Sequence, residues 1–503
     1  MGTARVVELE RKYDVKESAV LPRLQDLAGV RSVDPPLEQL LVAEYFDTRD
    51  LRLLAHGITL RRRTGGDDAG WHLKLPVAVS ARHEHREPLG REPDTIPESL
   101  LDLIRVHTRD RKLGHVARIT THRTLHRLRG KNKGVLAEVC DDLVEATTLT
   151  GQHEMRRWRE WEVELIDGDK DIFDAGDKVL AATGIRPSRY LSKLARALGS
   201  KPRTPNGPVR ATKNDTAGRV LLVYLGEQVR ELKDQDPQVR SDAKDSVHKM
   251  RVATRRMRSV LATYRKLFRD RDGVQFVRDE LKWLAGVLGG ARDAEVMHAR
   301  LKSMTADEPA DLILGPVTRR VDIELGAEYE KAHTKVLKAL NGQRYFRLLD
   351  TLDSLIAEPA LAPVAGKPAA TVIPKLIGKD VKRLRLAVKE ARDNPAGITD
   401  HPALHEARKD GKRLRYAAEA ALPIAPKKAA KLADTAHEVQ KILGDHQDSI
   451  VTRKLLRRLG AESFLQGENG FSYGRLHALE QTAALQTEAA FHREWKKFPA
   501  LKL

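Results

Sequence analysis

The chain has 503 residues, 41% hydrophobic and 32% charged, with one cysteine, Cys140; that length predicts two or three domains, and one thiol excludes an intrachain disulfide framework. No segment approaches the ~18–20 uninterrupted apolar residues of a membrane-spanning helix, and no apolar leader opens the chain, so a cytoplasmic protein is expected. The net charge of +19 is uneven: 34 basic and 32 acidic residues lie in 1–200, leaving 56 and 39 beyond, an excess that predicts a polyanionic partner.

The first element, VELERKY (7–13), alternates at period two, so Glu8, Glu10 and Lys12 share one face of a strand. In ITLRRRTG (58–65), Arg61 and Arg63 share a face, while Ile58, Leu60 and Arg62 point the other way. GGDDAG (65–70) is a turn signal. Lys74 of WHLKLPVAV (71–79) opposes Trp71, Leu73 and Leu75, and Arg82, Glu84 and Arg86 alternate in RHEHREPL (82–89). A helical pattern follows near SLLDLIRVH, then strands TTHRTLHRL (120–128) and VLAEVCDDLV (135–144). Glu138 and Asp142 share parity there; Asp141 points oppositely unless a bulge exchanges them. In REWEVELI (159–166), Glu160, Glu162 and Glu164 oppose Trp161, Val163 and Leu165. Helices are expected near KVLAATG and YLSKLARALG.

These charged faces sort into acidic strands and basic strands, as a solvated exterior rarely does. The pattern predicts an α+β domain over 1–200, an antiparallel β-barrel with helices, its charged faces turned inward. Such a tunnel could hold Mg²⁺ or Mn²⁺ on carboxylates and clamp phosphates on cations. Cys140 and the five tryptophans are expected to be packing residues.

Residues 201–218, rich in Pro, Gly, Asn and Thr, are expected to be a linker. From 219 to 503 apolar residues recur at three- and four-residue spacing, which predicts an all-α domain. Its halves look duplicated, about 219–357 and 375–503, around a break at 358–374. VHKMRVATRRMR (247–258) recurs as LHEARKDGKRLR (404–415), and WLAGVLGGARDAEV (283–296) as EVQKILGDHQDSIV (438–451). His248, Arg251, Arg255 and Arg258 are spaced i, i+3, i+7, i+10, as are His405, Arg408, Lys412 and Arg415; Arg256 and Arg413 flank these stripes. Stripes with few acidic partners suit an anion groove, and the scarcity of aromatics favours polyphosphate over single-stranded nucleic acid.

VELERKY resembles the ExExK signature of the CYTH family, the triphosphate tunnel metalloenzymes. LRRRTG, LKLP, THRTLHRL, VCDDLV, WEVEL and LSKLARAL follow in that family's order. The helical part is similar to a CHAD domain, with histidine-bearing basic helices in two copies. The resemblance implies catalytic roles for Glu8, Glu10 and Lys12. It implies divalent-metal binding by Glu8, Glu10, Asp142, Glu162 and Glu164. Triphosphate would be gripped by Lys12, Arg61, Arg63, Lys74, Arg123 and Lys193, with Arg82 and Arg86 as additions and Arg118 the alternative to Arg123. The implied activity is metal-dependent hydrolysis of inorganic triphosphate, with polyphosphate bound by the helical domain and association with polyphosphate granules expected from it. Thiamine triphosphatase, adenylate cyclase and a non-enzymatic polyphosphate-binding protein are the alternatives; nucleic acid is not expected as a specific partner.

Overall fold

The computed structural model describes residues 4–199, 210–393 and 402–498, apart from residues 28, 79, 80, 91, 93, 133, 152 and 497. Two compact units, Met1–Gly207 and Pro208–Leu503, divide the chain.

Nine strands form the first unit's sheet: β1 (Ala4–Val15), β2 (Ser32–Val33), β3 (Leu37–Thr48), β4 (Thr59–Thr64), β5 (Gly70–Ala78), β6 (Ala81–Glu87), β7 (Leu113–Arg129), β8 (Val135–Thr148) and β9 (Met155–Leu165). Their order is β2-β7-β3-β4-β5-β6-β1-β9-β8, and β7 also pairs with β8. That extra pairing closes an eight-stranded antiparallel barrel, with β2 an appendage on β7.

Strand β3 has no counterpart among the expected strands. Its cavity-lining residues Leu41, Ala43 and Tyr45 carry no charge, and Leu40 and Val42 beside them are apolar, so the strand lacks the charged face that marks its neighbours.

Period two decides which side chains share a face, and the helices decide which face is covered. Four helices belong to this unit: α1 (Arg52–Ala55), α2 (Glu98–Thr108), α3 (Asp171–Ala182) and α4 (Lys193–Ala197). Leu60, Trp71 and Leu73 pack outward against Leu53 of α1 and Leu100 and Ile104 of α2. Tyr13, Trp161, Val163 and Leu165 pack outward against Ile172, Phe173 and Leu180 of α3. With its apolar faces buried from outside, the barrel turns its charged faces inward. α4, capped by Ser192 accepting from Ala195 N at 3.1 Å, closes one end; its Leu194 and Ala197 pack on Tyr45, Ile119 and Trp158. The α4 end is the one where β9 begins, since Arg156 donates to the Arg196 carbonyl at 3.1 Å.

The second unit is helical throughout: α5 (Ala217–Arg240), α6 (Ser246–Thr263), α7 (Arg271–Asp307), α8 (Val317–Leu340), α9 (Gln343–Ala357), α10 (Ala369–Asp393), α11 (Pro402–Glu419), α12 (Pro426–Leu465) and α13 (Phe471–Trp495). The run α5–α8 repeats as α10–α13, with α9 the extra helix. No helix among the described residues is long and apolar enough to cross a membrane.

Two expected boundaries shift. Of the expected linker 201–218, residues 201–209 lie outside the described residues. Ala217 and Gly218 already belong to α5 and are buried; a Cβ on Gly218 would meet Leu361 Cδ1 at 2.8 Å, so the helix start is packed, not strung between domains. The second repeat begins at Ala369 rather than 375, because Ala369, Val372 and Ile373 are core residues.

Candidate functional site

The barrel encloses a cavity of about 270 Å³. Every tunnel residue expected from the sequence lines it except Asp142. Basic side chains come mainly from β4, β5, β6 and β7, and carboxylates from β1 and β9.

In this structure the two walls pair with each other. Lys12 is bonded to Glu162 and lies 3.0 Å from Glu10. Lys74 donates to Glu8 at 2.5 Å, and Arg82 lies 3.2 Å from Glu10. Arg123 grips Asp142 through two hydrogen bonds of 2.8 and 2.7 Å and reaches Glu162 at 2.7 Å. Lys193 stands among Asp142, Glu160 and Glu162 at 2.8, 2.9 and 2.7 Å. Burial works to raise the Glu10 carboxyl, but Lys12, Lys74 and Arg82 outweigh it and push it down to about 2.

The expected metal acids fall into two groups. Asp142 is fully buried behind the cavity wall; its oxygens and those of Glu160 and Glu162 lie within 4.8 Å of one another. That triad already carries Arg123 and Lys193. Glu8, Glu10 and Glu164 form the other group. Glu164 has no ion pair among the described residues, and burial, with Glu8 beside it, pushes its carboxyl up to about 7. Glu8 Oε2 is buried without a hydrogen-bond partner. An all-oxygen donor set with an orphaned carboxylate oxygen fits a hard divalent cation, and Glu8, Glu10, Glu162 and Glu164 are the residues that would hold it.

The cationic wall also has spare capacity. Arg61 Nε and Arg63 Nε are buried without acceptors. Arg63 is held down to about 9 by burial, Arg61 and Arg123, although Asp68 is ion-paired with it.

Two open choices resolve by placement. Asp141 points outward, bonded to Arg159 at 2.8 and 2.6 Å, while Asp142 points inward. Arg118 is exposed and Arg123 lines the cavity.

Glu84 and Glu160 went unassigned, although each shares parity with assigned neighbours on its strand. Glu84 is 1% exposed and sits within the basic wall. His72 Nδ1 lies 3.0 Å from it, Arg86 Nε donates to it at 2.6 Å, and Lys74 and Arg61 lie 3.8 and 3.9 Å away. Burial opposes its charge, yet the His72 hydrogen bond, Lys74 and Arg61 hold its carboxyl well below the usual range. One buried carboxylate thereby spaces several cations that would otherwise repel.

In the helical unit, α6 and α11 pack together: Tyr264 donates to the Ala417 carbonyl at 2.8 Å, and Arg255 Nε to Tyr416 at 3.0 Å. This packing gathers Arg251, Arg255, Arg408 and Lys412. Burial first, then Arg408, Arg255 and Arg251, push the Lys412 ammonium down to about 6. Arg251 has a carboxylate partner in Asp293 at 2.9 Å, and the guanidinium of Arg408 lies over Gly444. Both Asp293 and Gly444 come from the repeated LG-then-Asp segment, so the two sequence repeats meet here.

The remaining basic residues take other partners, although Arg256 and Arg415 lie with Arg255 around the Tyr416 ring. Arg256 and Arg415 lie 3.3 and 2.9 Å from Glu419. Arg413 pairs with Asp380 at 3.0 Å. His405 Nδ1 is 3.1 Å from Gln447. Arg258 is held down by burial and Arg255, and His248 by burial, Arg292 and Arg255. The expected single stripe is thus broken up, because one helix face must serve several neighbours. Arg413 also lines a second cationic pocket of about 350 Å³ with Arg265, Lys266, Arg271, Lys379 and Arg383. The sequence reading missed that pocket, whose residues come from four separate segments.

Comparison with known proteins agrees with this division. The CYTH domain family matches residues 7–197 and the CHAD domain family residues 223–457. Two uncharacterised proteins from strains of Mycobacterium tuberculosis are 40% identical over 97% of this chain and 96% of their own. A crystal structure of the CHAD domain from the plant Ricinus communis is 23% identical, with a TM-score of 0.47, over 59% of this chain and 96% of that one. The chain belongs to the CYTH–CHAD proteins, with a domain of the metal-dependent triphosphate tunnel family followed by a CHAD domain.

Proposed function

We propose that the tunnel hydrolyses inorganic triphosphate and that the basic groove of the helical unit binds inorganic polyphosphate, which would also place the protein at polyphosphate granules. The observation that carries the first part is the pairing of unmet needs across one cavity. Arg61 Nε and Arg63 Nε are buried donors without acceptors, and Glu8 Oε2 is a buried acceptor without a donor. A phosphate chain supplies the acceptors, and a divalent cation, Mg²⁺ or Mn²⁺, occupies the carboxylates.

When bound, that cation supplies Lewis acidity and charge neutralisation. The chain's own residues do the rest. Lys12, Lys74, Arg61, Arg63, Arg82, Arg86, Arg123 and Lys193 exchange carboxylate partners for phosphoryl oxygens and stabilise the charge that grows on the leaving diphosphate. A carboxylate on the acidic wall orients water for in-line attack on the terminal phosphorus. Among the lining residues Tyr45 is the single aromatic, and Arg61 reaches its hydroxyl at 3.4 Å. A lining with so little aromatic surface offers no slab on which adenine or thiamine would stack, which favours an inorganic substrate.

The test is phosphate release from tripolyphosphate, thiamine triphosphate and ATP with Mg²⁺ or Mn²⁺. Tripolyphosphate should be turned over fastest, and only with metal. No metal-dependent turnover of any of the three would remove the enzyme reading and leave a non-catalytic polyphosphate binder.

A further inference from the structure

The turn between β4 and β5, GGDDAG, does more than reverse the chain. Strand directions place it at the end of the barrel opposite α4, where β4 finishes. Gly65 and Gly66 have φ of +82° and +72°. A Cβ on Gly65 would meet the Leu40 carbonyl oxygen at 2.1 Å, and one on Gly66 would meet Leu41 Cδ2 at 2.8 Å. Only glycines let the turn fold this tightly onto β3. From inside the barrel, His72 Nε2 lies 2.8 Å from the Asp68 carbonyl oxygen.

So anchored, Asp67 and Asp68 both line the cavity. Asp68 is ion-paired with Arg63, a cavity-lining residue whose Nε is buried without an acceptor. Asp67 bears on Arg127, which already holds Glu138 at 2.9 Å. This end therefore presents Asp67, Asp68 and Glu138 among Arg63, Arg86 and Arg127 at the mouth of a phosphate-gripping tunnel, with both aspartates carried by the turn itself.

We propose that Asp67 and Asp68 form an acidic gate that sets the chain length accepted: triphosphate fits within the tunnel, while further phosphates of a longer chain would project past these carboxylates. The proposal rests on the reading of the tunnel as a triphosphate site. Asp68 doubles as a placeholder on Arg63, giving way when a phosphoryl group arrives. Longer chains meet the fixed charges of both residues and are repelled.

The experiment compares full-length wild type, Asp67→Asn/Asp68→Asn and Asp67→Glu/Asp68→Glu on tripolyphosphate and tetrapolyphosphate with Mg²⁺. The Asn variant should raise kcat/KM for tetrapolyphosphate about tenfold relative to tripolyphosphate, and the Glu variant, which keeps both charges, should retain the wild-type ratio. An unchanged ratio in the Asn variant overturns the gate, as does a Glu variant that behaves like the Asn one. If wild type hydrolyses neither substrate, the triphosphatase reading fails by itself, and binding to metal-free protein then judges the gate. A tetrapolyphosphate affinity raised about tenfold over tripolyphosphate by the Asn pair supports it; equal shifts for both ligands overturn it.

Discussion

The tunnel and the basic groove both gather cations, yet they treat them in opposite ways. In the tunnel, Lys12, Lys74, Arg123 and Lys193 each rest on a carboxylate. In the groove, burial weighs most against the Lys412 charge, and crowding by Arg408, Arg255 and Arg251 adds to it. A balanced site must exchange partners to bind: phosphate takes the cations, and the freed carboxylates turn to a divalent metal. An unbalanced site gains directly by neutralisation. Under the proposed function, the tunnel would be metal-dependent and selective, and the groove would retain a long polyanion in a salt-sensitive way.

The largest expected effect breaks the balanced side. Glu8→Gln/Glu10→Gln should lower tripolyphosphate turnover at least about 10³-fold, since the acids lose both the metal and the charge that keeps the cations spaced. Phosphate release at saturating Mg²⁺ checks it, with Mn²⁺ as a second arm.

Next come the spare donors. Arg61→Ala and Arg63→Ala should each raise KM for tripolyphosphate by roughly 10- to 100-fold, the worth of a charge-assisted hydrogen bond of ~1.5–3 kcal/mol. Steady-state kinetics separates this from a fall in kcat; a KM left unchanged would mean that these buried donors do not meet substrate.

On the unbalanced side, Arg408→Ala/Lys412→Ala should weaken long-chain polyphosphate binding by about tenfold and flatten its salt dependence. Titrations at several ionic strengths measure both. An unaltered slope would show that the polyanion runs elsewhere, the pocket around Arg413 and Lys379 being the natural candidate.

The smallest effect is in pH. Lys412 titrates at about 6 in the folded chain against an ordinary 10.5, so between those values the unfolded chain holds the extra proton. Stability from this group therefore falls as pH drops from 10.5 towards 6 and levels off below. A bound polyanion restores the charge, so binding should take up a proton near neutral pH and weaken as pH rises, by less than tenfold per unit. Calorimetry in buffers of different ionisation heat would show the uptake, and Lys412→Met should abolish it.

Much of this was legible in the primary structure, and the limits are physical. Alternation in VELERKY, LRRRTG and WEVEL placed Glu8, Glu10, Lys12, Arg61, Arg63, Glu162 and Glu164 on common faces, and all of them line the cavity. Strand β3 was hidden because Leu41, Ala43 and Tyr45, which line the cavity, are uncharged and sit beside apolar Leu40 and Val42. Glu84 was visible as a charge between Arg82 and Arg86, but its role as a spacer depends on His72 and Lys74, which come from the neighbouring strand. The basic stripes were readable as helix faces, and so was the i,i+4 pair Arg415–Glu419; yet Arg256 and Arg413 were drawn off by Glu419 and Asp380, which only the packing of separate helices brings near.

What the sequence alone determined is parity, periodicity and repetition, since these follow from backbone geometry of 2.0 and 3.6 residues per repeat. The tertiary structure decided sidedness and partnership. Helices α2 and α3 covered the apolar faces and so turned the acids inward. The packing of α6 on α11 selected which four cations share a groove. Both decisions rest on long-range burial, and no run of neighbouring residues contains that information.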